Sequence, residues 1–427
     1  MPDLSLWGAI YTGVPGVNLP TSGGGTAYFF DSSDLPVNVK AYGAKGDGRT
    51  DDTTDIQSAI TANPGKRIYF PAGTYCVNGK ITVGASGTSL VGDGITATII
   101  ALGASGKLLF GDDSNDPTPV NQVGMSDILV RIDNQNTRTD NSVAVDLVEI
   151  CQSDFHNIMI MNVANSADTD DGKGVGLRLY HTVMTYFYGV SVQGFIRGTG
   201  ISISGLGAYD GHTWDSGSGN RSNDVYFVNC RSDGNNTGYH IEHTGGAFLT
   251  NCTAYGNSYR GWELWEAKDI LMSNCVGDSS GTNNLYASTV VRLNIAGSWF
   301  CTTTNGDSVN LSGANGVRID SSIIGACNGY GVMVQANDVA ISNCSFFDTV
   351  NYGVCFTYTN GGAYIVGNYF YVVNRSSIAG IQLYAVTDDY YVSNNYNKTA
   401  GRLVHYDPAN GQAQQDTYSS NHIDGVS

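Results

Sequence analysis

The residues that could do chemistry are not spread evenly along this chain. It has only four glutamates, and three of them (Glu242, Glu263 and Glu266) fall within 25 residues of one another, Glu149 standing apart. Three of the five tryptophans (Trp214, Trp262, Trp265) and three of the seven histidines (His212, His240, His243) lie within or just before the same stretch. That stretch, from Asp224 to Glu266, reads DVYFVNCRSDGNNTGYHIEHTGGAFLTNCTAYGNSYRGWELWE. Two carboxyl groups flanked by aromatic faces are what cleavage of a glycosidic bond requires. One carboxyl protonates the leaving oxygen, the other activates water or attacks the sugar, and flat rings stack on the pyranose. Glu242 and Glu263 are the expected catalytic pair. Trp265 and Trp214 are expected to stack on sugar. His240, Asp215, Asp233 and Glu266 are expected to contact substrate, with His240 placed to shift a neighbouring carboxyl's pKa. The plainer reading of each is a solvated charge on a sheet face. Trp262 is expected to point inward, and His156 and His181 to be satisfied structural histidines.

For such residues to meet, the chain must stack them. From Val225 onward, Asn229, Asn251, Asn274, Ser298, Ser321, Asn343, Asn368 and Asn394 recur at intervals of 22, 23, 24, 23, 22, 25 and 26 residues. Each closes a short alternating strand such as VYFVN, AFLTN or VAISN. A period of about 23 residues with short strands and no helices is the coil of a β-helix, with neighbouring coils ~4.8 Å apart. Asn at these positions reads as structural, because it tolerates left-handed turns and can ladder between coils.

A second register aligns the segments that begin at Gly176, Gly200, Gly238, Gly261, Gly331 and Gly353. Alternation then turns Leu, Ile and Val inward. One outward column reads Arg178, Ser202, His240, Glu263, and the next reads Tyr180, Ser204, Glu242, Trp265. Glu242 and Glu263 are one coil and two residues apart, so their backbones should lie roughly 8 Å from each other. That separation suits inverting better than retaining hydrolysis. The step from Gly200 to Gly238 is 38 residues, too long for one coil. Residues 205–222, with Asp210, His212, Trp214 and Asp215, should therefore loop out and wall a groove. Arg178 is expected to pair with Glu149 at the surface.

Composition narrows the partners. The formal charge is −17 with only 21 Lys and Arg, which argues against nucleic acid. Nine Cys form no C-x-x-C motif, and Cys230, Cys252 and Cys275 fall at 22 and 23 residues, the stacking period. They read as buried free thiols of a protein folded in a reducing compartment. No metal and no cofactor is expected. The N-terminus lacks the pattern of a secretory signal, and no apolar run approaches the roughly 20 residues of a membrane span, so no membrane insertion is expected. Residues 1–35 read as an anchor or connector, 36–400 as the β-helix, and 401–427 as a polar tail.

The opening carries a longer composite pattern: AYGAKGDGRTDDT at Ala41–Thr53, YFPAGTY at Tyr69–Tyr75 and LVGDG at Leu90–Gly94. It resembles the start of the pectate-lyase-like superfamily. The fold this resemblance implies is all-β, a single-stranded right-handed parallel β-helix, with a helix at about 52–62 capping its N-terminal end. With free thiols and no signal, the chain also resembles bacteriophage tailspikes. That resemblance implies a homotrimer joined through its N-terminus to the phage tail, baseplate or an adaptor protein. It implies folding in the bacterial host cytoplasm, residence in the virion, and binding and cleavage of a bacterial surface polysaccharide, capsule or O-antigen. Endo-glycosidic hydrolysis is the expected reaction. The alternatives are a polysaccharide lyase using a patch of Arg231, Arg260, Lys268, His240 and Tyr259, a non-catalytic receptor-binding fibre, or a cell-wall glucanase. The polygalacturonase signatures N-T-D, G-H-G and R-I-K are missing.

Overall fold

Short β-forming runs separated by Gly, Asn, Ser and Asp cannot bury much alone, so they bury it against the next turn of the same chain. The computed structural model describes residues 35–114, 118–132, 142–163, 174–204, 208–209, 212–213, 222–358, 362–371, 380–384, 390–398, 403–407, 417–419 and 422–423. Its strands wind into three long parallel faces. One coil supplies Thr237–Glu242 to the first face, Ala247–Thr250 to the second and Thr253–Tyr255 to the third. The next coil lays Arg260–Trp265, Lys268–Ser273 and Val276–Ser280 on top in parallel register. Strands at Val404–Asp407, Thr417–Ser419 and His422–Ile423 continue the three faces past residue 400. The fold is therefore the expected all-β parallel coil.

The interior is filled by the inward members of each strand. Leu177, Ile201, Tyr239, Trp262 and Leu285 are paired coil to coil and buried. Phe155, Phe187 and Phe227 stack at ring-centroid distances of 5.3 and 4.5 Å, and Tyr239 on Trp262 at 3.9 Å. Trp262 points inward, as its place in the alternation requires, and its indole N–H donates to the Val276 carbonyl at 3.1 Å.

The turn after the second face explains the Asn repeat and corrects it at two places. Asn229, Asn251, Asn274, Ser321, Asn343 and Asn394 all have φ between 50 and 55°, the left-handed region. In two coils that position is Gly297 (φ 59°) and Gly367 (φ 69°), not Ser298 and Asn368. Glycine enters this conformation without steric cost, so the polar residue moves one place on. Ser298 and Asn368 stand instead in the column of Cys230, Cys252, Cys275, Ser322 and Cys344. There Ser298 Oγ accepts from the Cys275 N–H at 3.1 Å, and Asn368 Oδ1 from the Cys344 N–H at 2.9 Å. Cys230, Cys252 and Cys275 are buried and free, as expected.

A second correction concerns Arg178. It aligns with Asp146, not Glu149, and grips that buried carboxylate through Nε at 3.0 Å and Nη2 at 2.9 Å, with Lys107 Nζ at 2.6 Å. Glu149 lies past the strand end in a left-handed turn (φ 53°) and takes His181 Nδ1 at 2.5 Å. His156, in contrast, is half exposed, 3.9 Å from Asp154, and is no satisfied core histidine.

The first coil is closed by helix α1, Thr53–Ala62, which buries Ile56, Ala59 and Ile60. Its first turn is satisfied by Asp51, which accepts from the Thr53 N–H at 3.1 Å. The Asp52 side chain turns back to accept from the amides of Lys45 and Gly46. Among the described residues no helix is long and apolar enough to cross a membrane.

Candidate functional site

The two outward columns of the first face form as the spacing predicts. Arg178, Ser202, His240, Glu263 and Tyr286 lie one above another, and Tyr180–Ser204 and Glu242–Trp265–Ser288 form runs of the neighbouring column. Alternation holds both columns outward because Tyr239, Ile241, Trp262 and Leu264 occupy the core between them.

His240 stands between the two glutamates. Its Nδ1 is 2.9 Å from Glu263 Oε2 and its Nε2 is 3.3 Å from Glu242 Oε2. The two carboxylates are thus separated by the width of one imidazole. Glu263 is held on its other oxygen by Arg260, whose guanidinium lies 3.7 Å above the Tyr286 ring and 4.6 Å from that of Tyr259. Glu242 Oε1 accepts the Ser204 hydroxyl at 2.9 Å. One turn further, His243 Nε2 bonds Glu266 Oε2 at 2.9 Å, while its Nδ1 is 4.0 Å from Glu242 Oε2. His243 and Glu266 both sit in left-handed turns, each with φ 48°, at the end of consecutive strands.

Burial and pairing act against each other here. Burial pulls the His240 imidazole down, but its hydrogen bonds to Glu242 and Glu263 and their charges outweigh this and raise it to about 9. Burial pushes both carboxyls up. His240 and Ser204 overcome it for Glu242, and His240 and Arg260 for Glu263, so both end below their ordinary value. At neutral pH the cluster is an imidazolium clamped between two carboxylates. Glu263 is the more enclosed, its side chain 12% exposed against 30% for Glu242.

Trp265 is 40% exposed next to Glu242 in the same column, with Tyr286 of the neighbouring column at 6.4 Å, so an aromatic surface flanks the carboxylates. Glu266 reaches the cluster through His243. Asp233 does not. It lies on the third face, stacked with Gln193, Tyr255 and Asp278 and paired with Arg231 at 2.6 Å. Burial raises its carboxyl even against that arginine. The basic patch considered for a lyase is not assembled either, because Arg231 is on the third face and Lys268 on the second. Trp214 and Asp215 lie outside the described residues. The base of their loop is described: Ser222 Oγ donates to the Ser204 carbonyl at 2.9 Å. Ser204, His243 and Arg260 were not singled out as partners of the pair. Their signal was the coil period, since His243 precedes Glu266 by 23 residues. Among the described residues no group of three or more His, Cys, Asp or Glu is placed to hold a metal ion.

Comparison with known proteins adds the following. The family described as Rhamnogalacturonase A/epimerase, pectate lyase-like matches residues 36–277, and Right handed beta helix region matches residues 217–397. Alginate lyase 7 of Azotobacter vinelandii is 38% identical over 114 residues, 24% of this chain and 13% of that protein. Glucan 1,3-beta-glucosidase of Cochliobolus carbonum is 38% identical over 90 residues, 21% of this chain and 10% of that protein. The chain therefore spans only 13% and 10% of the length of these two curated relatives. Among solved structures, tailspike protein 3 of bacteriophage CBA120 superposes with a TM-score of 0.68 at 14% identity, over 92% of this chain and 62% of that one. PfbA, a surface adhesin of Streptococcus pneumoniae, superposes with a TM-score of 0.53 at 16% identity, over 91% of each chain. At such identities these likenesses speak for the fold.

Proposed function

The chain belongs to the Rhamnogalacturonase A/epimerase, pectate lyase-like family, and from that premise we propose that it is a polysaccharide-cleaving hydrolase, the depolymerase of a phage tailspike acting on a bacterial surface glycan. The observation that carries the reading is the unequal holding of two carboxylates on one outward face. Glu263 is bound by two cations, His240 and Arg260, and stays ionised through the reaction. It serves as the base for water or as the nucleophile. Glu242 is held more loosely, at 3.3 Å from His240, and is the more exposed. A sugar seated against Trp265 excludes water and separates Glu242 from His240. Burial, the largest single influence on this carboxyl, then raises it and makes it the acid. Its proton goes to the glycosidic oxygen, and the leaving sugar departs as an alcohol.

The tailspike part of the proposal rests on the resemblance of Ala41–Gly94 and on shared architecture. It includes a homotrimer and attachment to the tail, baseplate or adaptor through residues 1–35.

The test is mass spectrometry of oligosaccharides released from a panel of capsules and O-antigens by the full chain. Saturated oligosaccharides from the wild type, with release lowered at least ~100-fold in Glu242→Gln and Glu263→Gln, support the assignment. Full activity in both variants removes it. An unsaturated, ultraviolet-absorbing product replaces hydrolysis by elimination. Unchanged polymer viscosity across the panel, with glycan still bound, makes the protein a receptor-binding fibre.

A further inference from the structure

Arg260 reaches Glu263 from a position that the strand does not favour. In Arg260–Trp265 alternation turns Trp262 and Leu264 into the core and Glu263 and Trp265 outward. Arg260 shares its parity with Trp262, and the coils below and above place the buried Thr237 and Asn283 at the same point. Its guanidinium must therefore curl around the start of the strand, past Gly261, for Nη1 to bond Glu263 Oε1. Something has to hold it there. The Arg260 side chain is 13% exposed, and its Nε is buried with no hydrogen-bond partner among the described residues. What the guanidinium has instead is the face of Tyr286, at 3.7 Å from the ring centroid. Tyr286 is the register partner of Glu263 in the next coil, so its ring roofs the ion pair. The Tyr259 ring, 4.6 Å away and 38% exposed, closes the site only loosely.

We propose that Tyr286 is a positioning residue for Glu263, its ring face pinning the Arg260 guanidinium against that carboxylate. The face of an aromatic ring is the negative side of its quadrupole and attracts a guanidinium taken out of water. A guanidinium lying flat on the ring keeps its edge free, and the edge is what meets Glu263 Oε1. A donor left without an acceptor is a cost, and at Nε the ring contact is the compensation. The charged groups that face Glu263 are His240 from the coil below and Arg260 from its own strand, with Glu242 beyond the imidazole. Burial pushes the Glu263 carboxyl up, and His240 and Arg260 together bring it below its ordinary value. Loosening Arg260 removes part of that opposition, so the carboxyl should rise. This inference rests on Glu263 being the carboxylate that stays ionised in the proposed reaction, and the first part of its test needs no substrate.

The chain has only four glutamates, so carbon-13 NMR of glutamate-labelled full-length protein gives a short carboxyl spectrum. The Glu263 signal is identified by its absence in Glu263→Gln. Followed against pH, it should titrate about one pH unit higher in Tyr286→Leu than in the wild type. In Tyr286→Phe, which keeps the ring and drops the hydroxyl, it should titrate with the wild type. Tyr286→Thr makes the same test should the leucine variant fold poorly. A Glu263 carboxyl that titrates alike with and without the ring overturns the proposal. So does a phenylalanine variant that titrates with the leucine one, because the hydroxyl and not the ring face would then be the holder. These outcomes stand whether or not the protein cleaves anything. The second readout is kinetic. A base must be ionised to act, so the acid limb of the kcat–pH profile follows Glu263. That limb should move up in Tyr286→Leu by the same amount as the carboxyl signal. A loss of kcat that is uniform with pH, the limb unmoved, overturns the positioning role while leaving hydrolysis intact. Absence of any cleavage by the wild type counts against the hydrolase reading alone, and the titration then decides whether Tyr286 holds Arg260 on Glu263.

Discussion

His240 has both ring nitrogens committed to carboxylates, and this determines how pH acts on the folded protein. Its folded pKa of about 9 lies above the ordinary histidine value of 6.5. The stabilisation is therefore complete below pH ~6.5 and lost as pH rises through about 9. Glu242 and Glu263 are depressed, so the same contacts weaken again as pH falls through the carboxylate range. Urea denaturation should show His240→Gln less stable than the wild type by about 3 kcal/mol at pH 6, with the gap nearly closed at pH 9.5. A gap that is constant with pH would mean that packing, not charge, accounts for the loss. At this scale the sequence was legible in part. Glu242 and Glu263 stood out because glutamate is scarce and alternation faces both outward. The clamp between them was not legible, because it depends on which ring nitrogen meets which oxygen. Ser204 was already aligned with Glu242 by the register, its hydrogen bond to that carboxylate being what the spacing could not show, and Asp233 was misplaced because the short turn after Asn229 carries the chain to another face.

Strands and turns of one coil matter here through the copies above and below them. The left-handed position after the second face is filled by Asn, Ser or Gly in the coils from Asn229 to Asn394, and by no β-branched residue. Asn251 has φ 53° and extends its side-chain amide to Asn229 Oδ1 at 3.3 Å. Asn251→Val should cost about 1–2 kcal/mol, whereas Asn251→Gly should stay within about 1 kcal/mol of the wild type. Equal losses in equilibrium unfolding would show that the side-chain ladder, not backbone strain, sets the preference. The period was readable from the chain because Asn marks this turn in most coils. It slipped by one at Ser298 and Asn368 because glycine meets the same backbone requirement without a side chain to mark it.

Over the whole molecule, a stack of parallel coils has two open ends, each with unpaired strand edges and exposed core. Helix α1 covers the first, seating Ile56 and Ile60 over the opening coil. Ile56→Asp places a charge where the side chain is 1% exposed, so it should unseat the helix and leave that edge open. Size-exclusion chromatography should then find end-to-end oligomers that grow with concentration. An Ile56→Asp protein that elutes as the wild type does would mean the end is covered by something else. The cap was legible because Ala41–Thr53 is a long composite pattern.

The hydrogen bond from Ser222 to the Ser204 carbonyl has a consequence for how such a protein diversifies. Ser222 Oγ also accepts from the Thr182 amide at 3.2 Å, so the chain leaves and re-enters the stack at a fastened seam. The coils above and below meet the same two neighbours whatever is spliced between 204 and 222, and loop entropy grows only slowly with length. The segment between 204 and 222 is therefore an exchangeable cassette. A lineage can trade it for another without renegotiating the register of a single strand.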